Sequence, residues 1–545
     1  MSNRAVGSYR NGMRILAVVS LYAALLVVGA YQMFRPMIDS WFAQSQVETG
    51  DGALNHYILE HSWQVLSNRA YRGTLLTPPF FHPQPLVLGY SENLLGAAPV
   101  YWALRVAVPV GEAYQWWQVV CGVLNFAAMA VAARWLGCSH PVAALGAFVW
   151  AFALVHVHQA HHQQMIPRFF MPFAAYHAWR LAAAPSLRSL NRVLGVTFLQ
   201  VAACFYTGWF LVVGVATFVP LALYCLGGGG EFRRFMNENR RRATRLVGGW
   251  GAVYVAFFVP YLLANRGMAR EYYECAQMIP RLEAWFTGPP GGVWTGVVPH
   301  PYGAVHFECY LSIGFAAAVV ALAAAVYLWR MPRPRPPELM FATAGLLTAF
   351  VWFVLTLNVG SPTEGWSAWW VLRFIPGGQA IRVVSRVFVI VYLFGGLAAM
   401  VWLSHVLGRL SADRAFALVA ALSAFVAWEQ TGFYHVGFDR NAYYAEVDRL
   451  AAELRGAEVG YVVPRARPYP DKDTEIYADV LAMWAGLRAN VPVVNGYSGR
   501  YPPKYDVSTA DLDRTLRAWL TGKFRGTLTV IDPDRPGERR AMVFE

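Results

Sequence analysis

Hydrophobic residues fall along this chain in long unbroken runs parted by short polar stretches. The pattern has neither the two-residue period of a half-buried strand nor the single stripe of a surface helix. The first run, 13–34, follows Arg4 and Arg10, carries Arg14 at its start and is too long for a signal-peptide core, and no A-x-A site follows it. It reads as an uncleaved signal anchor with a cytoplasmic N-terminus. Further runs cover 94–112, 115–136, 142–158, 166–184, 193–206, 208–226, 246–265, 310–330, 339–359, 386–406 and 412–432. A helix needs about 20 apolar residues to cross the hydrocarbon layer, so the pattern predicts an integral membrane protein.

Arginine placement reduces the twelve runs to eleven spans. If every run crosses, Arg180, Arg188, Arg192 and the group Arg233, Arg234, Arg240, Arg241, Arg242 and Arg245 fall outside, against the positive-inside tendency. The run 94–112 carries Arg105 between Pro99 and Pro109, which suits a re-entrant or interfacial segment. With that run kept at the outer surface, all these arginines become cytoplasmic, together with Arg134, Arg330, Arg333, Arg335, Arg409 and Arg414. The expectation is an α-helical polytopic membrane domain over 1–432, with external loops at 35–93 and 266–309. An external α/β domain follows at 433–545, with strands at 459–463, 491–494 and 526–531 and helices at 474–488 and 509–522. In a bacterial cell this places the protein in the inner membrane with a periplasmic C-terminus.

Composition agrees: 57% of the 545 residues are hydrophobic and 14% charged. The net charge of +13 is accounted for largely by the cytoplasmic arginines, which serve topology and anionic headgroups, so nucleic acid is not the expected partner. The arginine- and proline-rich run 330–337 reads as a stiff cytoplasmic connector.

Every segment with chemical potential falls on the external side. The first loop carries Asp51 between two glycines, Glu92 in Ser91-Glu92-Asn93, an amphipathic stretch at 52–66 expected to form an interfacial helix, and a proline-stiffened stretch at 78–85. At the outer end of the third span, His158, His161 and His162 share one helical face by their i, i+3, i+4 spacing, followed by Gln163 and Gln164. They can hold a metal ion or line a polar cavity. Tyr206-Thr207-Gly208-Trp209 marks an outward tip with a tight turn. Arg382 and Arg386, four apart on the helix entering the tenth span, suit phosphate oxygens, with a salt bridge to Asp51 or Glu92 as the structural alternative. The loop 495–503, with Tyr497 and Arg500 after a strand, is either a turn or a lid. Cys275 and Cys309 share one external loop and are a candidate disulfide.

Asp51 in a large first loop, H-x-Q at His162–Gln164 before Pro167, the Arg382–Arg386 pair and N-G-Y-S-G at 495–499 occur here in order and on one side. Together they resemble a group of bacterial multi-span proteins akin to the GT-C superclass of glycosyltransferases. Many of these carry a D-x-D pair in the first loop, whereas Asp51-Gly-Ala53 offers one acid, and Glu92 stands where a related S-D pair would put Asp. The resemblance implies transfer of a sugar from a polyprenyl-phosphate-linked donor to a cell-envelope glycan, lipid or protein acceptor. Asp51 and Glu92 would be catalytic, with a divalent metal ion permitted. Arg382, Arg386, His158, His161, His162, Gln164, Tyr206, Tyr497 and Arg500 would bind substrate. The alternatives are a transporter or flippase for a lipid-linked or anionic solute, and a non-catalytic anchor for the tail.

Overall fold

The computed structural model describes residues 3–46, 49–295, 297, 307–332, 335–360, 365–464 and 474–545. Arg333 and Pro334 of the expected connector lie outside them. The helices in chain order are α1 (Asn3–Asp39), α2 (Asp51–Ser67), α3 (Ala98–Arg105), α4 (Val110–Trp135), α5 (His140–Phe152), α6 (Leu154–His158), α7 (Met171–Ala183), α8 (Leu187–Ala203), α9 (Phe205–Leu226) and α10 (Gly229–Glu238). They continue with α11 (Arg240–Ala264), α12 (Tyr272–Ala276), α13 (Phe315–Arg330), α14 (Pro337–Leu355), α15 (Trp369–Leu372), α16 (Phe388–Leu407), α17 (Ala412–Glu429), α18 (Arg440–Leu454), α19 (Thr474–Ala489) and α20 (Leu512–Leu520). Strands β1 (Gln44–Gln46) and β2 (Gly437–Asp439) pair antiparallel, while β3 (Val459–Val462), β4 (Gly526–Ile531) and β5 (Arg539–Phe544) form a mixed sheet in that order.

Seven helices among the described residues are long and apolar enough to cross a membrane. Four further apolar runs also form helices, α7, α8, α13 and α17, but the first three have 13, 17 and 16 residues and α17 carries Asp413, Arg414 and Glu429. The run 94–112 yields only α3, whose eight residues extend about 12 Å, too short to cross. The loops that follow α1 and α6 and those that precede α9, α13 and α16 meet at one pole of the bundle, where their side chains bond one another.

One irregularity inside the bundle sets up that pole. The helix α5 stops at Ala153, which adopts an extended ψ of 151°. Carbonyls freed at a break within apolar surroundings must be satisfied from the protein itself. Arg168, 2% exposed, donates from Nη2 to Trp150 O and Ala151 O at 3.0 and 2.9 Å, and from Nη1 to Met165 O and Ile166 O at 3.1 and 3.3 Å. It has no ion pair among the described residues and lies against the Trp150 ring. A cation at a helix C-terminus is favoured by the helix dipole. Arg168 thereby closes α5 and ties down the loop that carries the histidines.

Two expectations change outside the helical bundle. Helix α2 forms where an interfacial helix was expected, yet its residues 52–62 are all buried. The tail covers one side of it: Trp484 Nε1 donates to Ala53 O at 3.1 Å, and Tyr444 Oη meets His56 Nδ1 at 2.8 Å. On the other side Glu60 pairs with Arg105 of α3 at 2.8 Å. In the tail, β3, β4, α19 and α20 lie close to the expected positions, and β5 is additional. The segment 491–494 makes only a single bridge, Val493 to Gly460. Its backbone bonds Gly460 on one side, through Gly460 N to Pro492 O and Val494 N to Gly460 O. On the other side it and adjacent Asn495 bond the proline-rich stretch of the first loop, through Phe81 N to Asn495 O, His82 N to Val493 O and Val493 N to Pro79 O at 2.9–3.1 Å. One continuous apolar core accordingly runs from the spans through Tyr57 of α2 and Val447 of α18 to Trp484 of α19.

None of the six cysteines forms a disulfide. The candidate disulfide between Cys275 and Cys309 is not formed: Cys275 Sγ donates to Ile381 O at 3.2 Å and Cys309 Sγ is directed to Gln277 O at 3.9 Å, so each thiol has a backbone acceptor rather than its partner sulfur. Alkylation of denatured, unreduced protein is therefore expected to label both residues, and mass spectrometry finding them unlabelled would overturn this. Arg168→Met is expected to lower stability by about 2–4 kcal/mol, because it strands several buried carbonyls; thermal unfolding in detergent measures it.

Candidate functional site

Asp51 is the first residue of α2, where the partial positive charge of the helix N-terminus favours a carboxylate. Its Oδ1 accepts from Tyr497 Oη at 2.7 Å and its Oδ2 pairs with His162 Nδ1 at 2.9 Å. The other ring nitrogen of His162 meets Glu308 Oε1 at 2.7 Å, and the same oxygen accepts from Arg386 Nη2 at 2.8 Å. The guanidinium of Arg386 lies 4.4 Å over the ring of Tyr206. A single line of contacts thus runs Tyr497–Asp51–His162–Glu308–Arg386–Tyr206. About a quarter of the Asp51 side chain is exposed (26%), whereas Glu308 (2%) and Arg386 (3%) are sealed.

Electrostatics follow from this order. Burial alone would raise the pKa of Asp51, but the hydrogen bond and charge of His162, the Tyr497 hydroxyl and the charge of Arg386 bring it down to about 2. Burial would depress His162, yet the charge of Glu308 and the hydrogen bonds to both carboxylates raise it, which favours an imidazolium facing a carboxylate at each nitrogen. Burial likewise opposes ionisation of Glu308, and Arg386 and His162 hold it well below the usual carboxylate range. Two anions and two cations make the cluster neutral.

The structure separates some residues expected to act together. Glu92 is buried, and its Oε2 accepts from Phe205 N at 2.8 Å while Oε1 takes the Cys204 thiol at 3.6 Å. It caps the start of α9 and makes no hydrogen bond with Asp51. The tight turn falls at Cys204, so Tyr206–Trp209 form the first turn of α9 rather than the tip itself. Arg382 and Arg386 do not share a helix, because residues 381–383 form an irregular stretch between two short 3-10 turns. Arg382 is exposed, and its backbone N–H reaches Tyr206 Oη at 3.4 Å. Arg500 lies outside the line of contacts and donates to Met268 O at 2.9 Å. Tyr497 of the same loop closes over Asp51, and adjacent Gly496 packs so tightly on the Phe81 ring that no Cβ fits.

The histidines do not share one helical face, because α6 ends at His158 and the chain turns at His162 (φ −100°, ψ 81°). His158 Nε2 meets Phe307 O at 2.6 Å, and Gln164 Oε1 accepts from Asn55 of α2 at 2.7 Å. His161 Nδ1 bonds His158 O at 2.7 Å, which leaves its Nε2 buried without a partner. Ligand atoms of His161, His162 and Glu308 lie within 4.8 Å of one another. Two imidazoles and a carboxylate suit a divalent transition ion, and Asp51 on the far nitrogen of His162 supplies the outer carboxylate typical of metal-bound histidine. The residues therefore fit a metal. An ion there would take the place of the His162 proton and leave the cluster with a net charge of +1.

Glu308 is the member that sequence reasoning missed. Its signal is slight: a lone acid between Phe307 and Cys309, just before an apolar run.

No protein-family model matches the sequence, and no curated protein matches it. Among solved structures, the apo oligosaccharyltransferase of Archaeoglobus fulgidus is similar over 88% of this chain at 13% identity with a TM-score of 0.47, and this chain spans 64% of its length. The same enzyme in complex with Zn and sulfate is similar over 94% of this chain and 67% of its own, at 10% identity and a TM-score of 0.44. ArnT from Cupriavidus metallidurans in the apo state is similar over 96% of this chain and 94% of its own, at 14% identity and a TM-score of 0.39. These are likenesses of chain path at low scores and assign no residue a role.

Burial pushes Glu92 up to about 7 against the hydrogen bonds from Phe205 and Cys204. A carboxyl raised on folding favours the protonated fold, so its contribution is fully present below the unfolded pKa of 4.5 and is lost as pH rises through about 7. Melting temperature in detergent is expected to fall between pH 5 and pH 8, and Glu92→Gln to flatten that slope. An unchanged slope in the variant would assign the titration elsewhere.

Proposed function

We propose that the protein is a glycosyltransferase of the membrane, moving a sugar from a polyprenyl-phosphate-linked donor to an acceptor hydroxyl on the external face. The observation that carries the reading is the line Asp51–His162–Glu308–Arg386, assembled at one pole of a membrane bundle from four separate loops. The sidedness of the arginines supports eleven crossings, an N-terminus inside and the site outside, in the inner membrane of a bacterium. A lipid-linked donor reaches such a site laterally, with its phosphate at headgroup depth.

In the reaction the acceptor oxygen bonds to the anomeric carbon as the bond from that carbon to the phosphate oxygen breaks. The proton leaves the acceptor, and the phosphate departs on its carrier. Arg386, buried between Glu308 and Tyr206, would act on the negative charge gathering on the phosphate through its field rather than by contact. Asp51 is the partly exposed carboxylate of the line and takes the proton. With a pKa of about 2 it is a weak base in this state. A divalent ion held by His161, His162 and Glu308 would supply Lewis-acid charge, under which a weak base suffices. His162 holds Asp51 in place through Nδ1, and Tyr497 closes the loop over it. Glu92 acts at one remove, by fixing the turn of α9 that carries Tyr206. A transporter would instead place its charges near the midplane, whereas these gather at one pole.

Donor-dependent sugar transfer by purified protein in lipid tests the proposal. Asp51→Asn and Glu308→Gln are each expected to lower turnover about a hundredfold or more with expression intact, and Arg386→Lys to weaken it despite keeping the charge. Elemental analysis should find a bound divalent metal that His161→Ala loses. Near-normal turnover in both acid variants would remove the transferase reading.

A further inference from the structure

A second cationic position stands apart from the candidate site, in the connection between α14 and α16. Arg373 follows α15, and its guanidinium lies 4.8 Å from the ring of Trp370, 5.0 Å from Phe374 and 5.8 Å from Tyr272. No ion pair or side-chain hydrogen bond engages it among the described residues, and its Nε is buried without a partner. The arginines around it differ: Arg270 pairs with Glu274 at 3.0 Å and Arg281 with Glu283 at 3.4 Å. An arginine held against three aromatic faces, with no acid paired to it among the described residues, is built for an anion.

The setting identifies the anion. The connection is pinned to the first turns of α9, where Trp209 Nε1 donates to Pro376 O at 2.9 Å and the Arg382 N–H reaches Tyr206 Oη. Helices α9 and α16 both start at this level, so the segment sits where membrane-crossing helices leave the hydrocarbon. Around Arg373 it exposes Trp366 (67%), Trp370 (51%), Val371 (67%) and Phe374 (61%). Large apolar side chains exposed in such a group, with tryptophan among them, belong at a membrane interface rather than in water. At that depth the available anion is a lipid headgroup.

We propose that Arg373, walled by Tyr272, Trp370 and Phe374, binds the phosphate of an anionic phospholipid while Trp366, Trp370, Val371 and Phe374 insert into the leaflet. The site is separate from Arg386, which Glu308 already neutralises, and does not depend on the transferase reading. It anchors the 366–382 connection, and through the Arg382–Tyr206 contact it holds the outer edge of the candidate site at the membrane surface.

Native mass spectrometry of the full-length protein, released from bilayer discs of mixed phosphatidylglycerol and phosphatidylcholine, tests this. The protein is expected to retain phosphatidylglycerol in preference, and Arg373→Gln to reduce that retention about fivefold without changing phosphatidylcholine, the scale of one arginine at an anionic surface. Arg455→Gln, on the exposed tail, should leave both unchanged. If Arg373→Gln folds poorly, Phe374→Ala removes one wall and should reduce retention in the same lipid-selective way. Equal phosphatidylglycerol retention in both Arg373→Gln and Phe374→Ala would overturn the proposal. Displacement of the lipid by millimolar inorganic phosphate would overturn it too, by marking a site for free anions.

Discussion

A histidine held between two carboxylates is the contact on which the rest of this pole depends. Asp51 and Glu308 come from loops more than 250 residues apart and would repel each other if left adjacent and ionised. His162 resolves that conflict by giving a proton to each, and Arg386 completes the balance from a third direction. Removing any one charge leaves another buried without compensation, which is far more costly than the pair is worth. The arrangement therefore specifies geometry more than it adds stability, and it brings four loops and the tail to one point.

The scaffold around that point is organised to hold backbone that cannot be regular. Arg168 terminates α5 inside the bundle and Glu92 starts α9, one a cation at a helix C-terminus and the other a carboxylate at an N-terminus. Each meets the orphan backbone groups of a break in apolar surroundings. The histidine loop and Tyr206 are placed by these two breaks. Asp51, by contrast, is placed by burial of α2 between α3 and the tail, so the first loop has no independent position of its own.

Much of the architecture was legible in the sequence because apolar runs of crossing length are a strong and local signal. Helices formed in every run, and the failure of 94–112 to make a long helix was readable from Pro99, Arg105 and Pro109. The tail's β3 and β4 were visible from their valine-rich patterns, whereas β5, with Arg539 and Arg540 and exposed for most of its length, gave no alternating signal. At the site, Asp51, His162, Arg386 and Tyr497 were each singled out; Tyr497, Asp51 and His162 touch in sequence, and Arg386 joins them through Glu308. Their partners were not legible, because which acid meets which base is a long-range fact: Glu308 has no flanking motif, and the Arg382–Arg386 spacing assumed a helix that starts only at Phe388. Helical spacing also misled for the histidines, since no local rule reveals that α6 ends at His158.

The bond between Tyr497 and Asp51 has a consequence for how the protein is made. Ribosomes add roughly 5–20 residues per second, so the chain from the first loop to the tail takes on the order of half a minute or more to emerge. Throughout that time Asp51 lacks the hydroxyl that closes over it, and α2 lacks the cover of Trp484. The first loop must wait, with an apolar helix face exposed, for residues nearly 450 positions later in the sequence. A chain cut short before the tail would keep its apolar helices but leave its pole open, so the emergence of Tyr497 is itself the step that assembles the site.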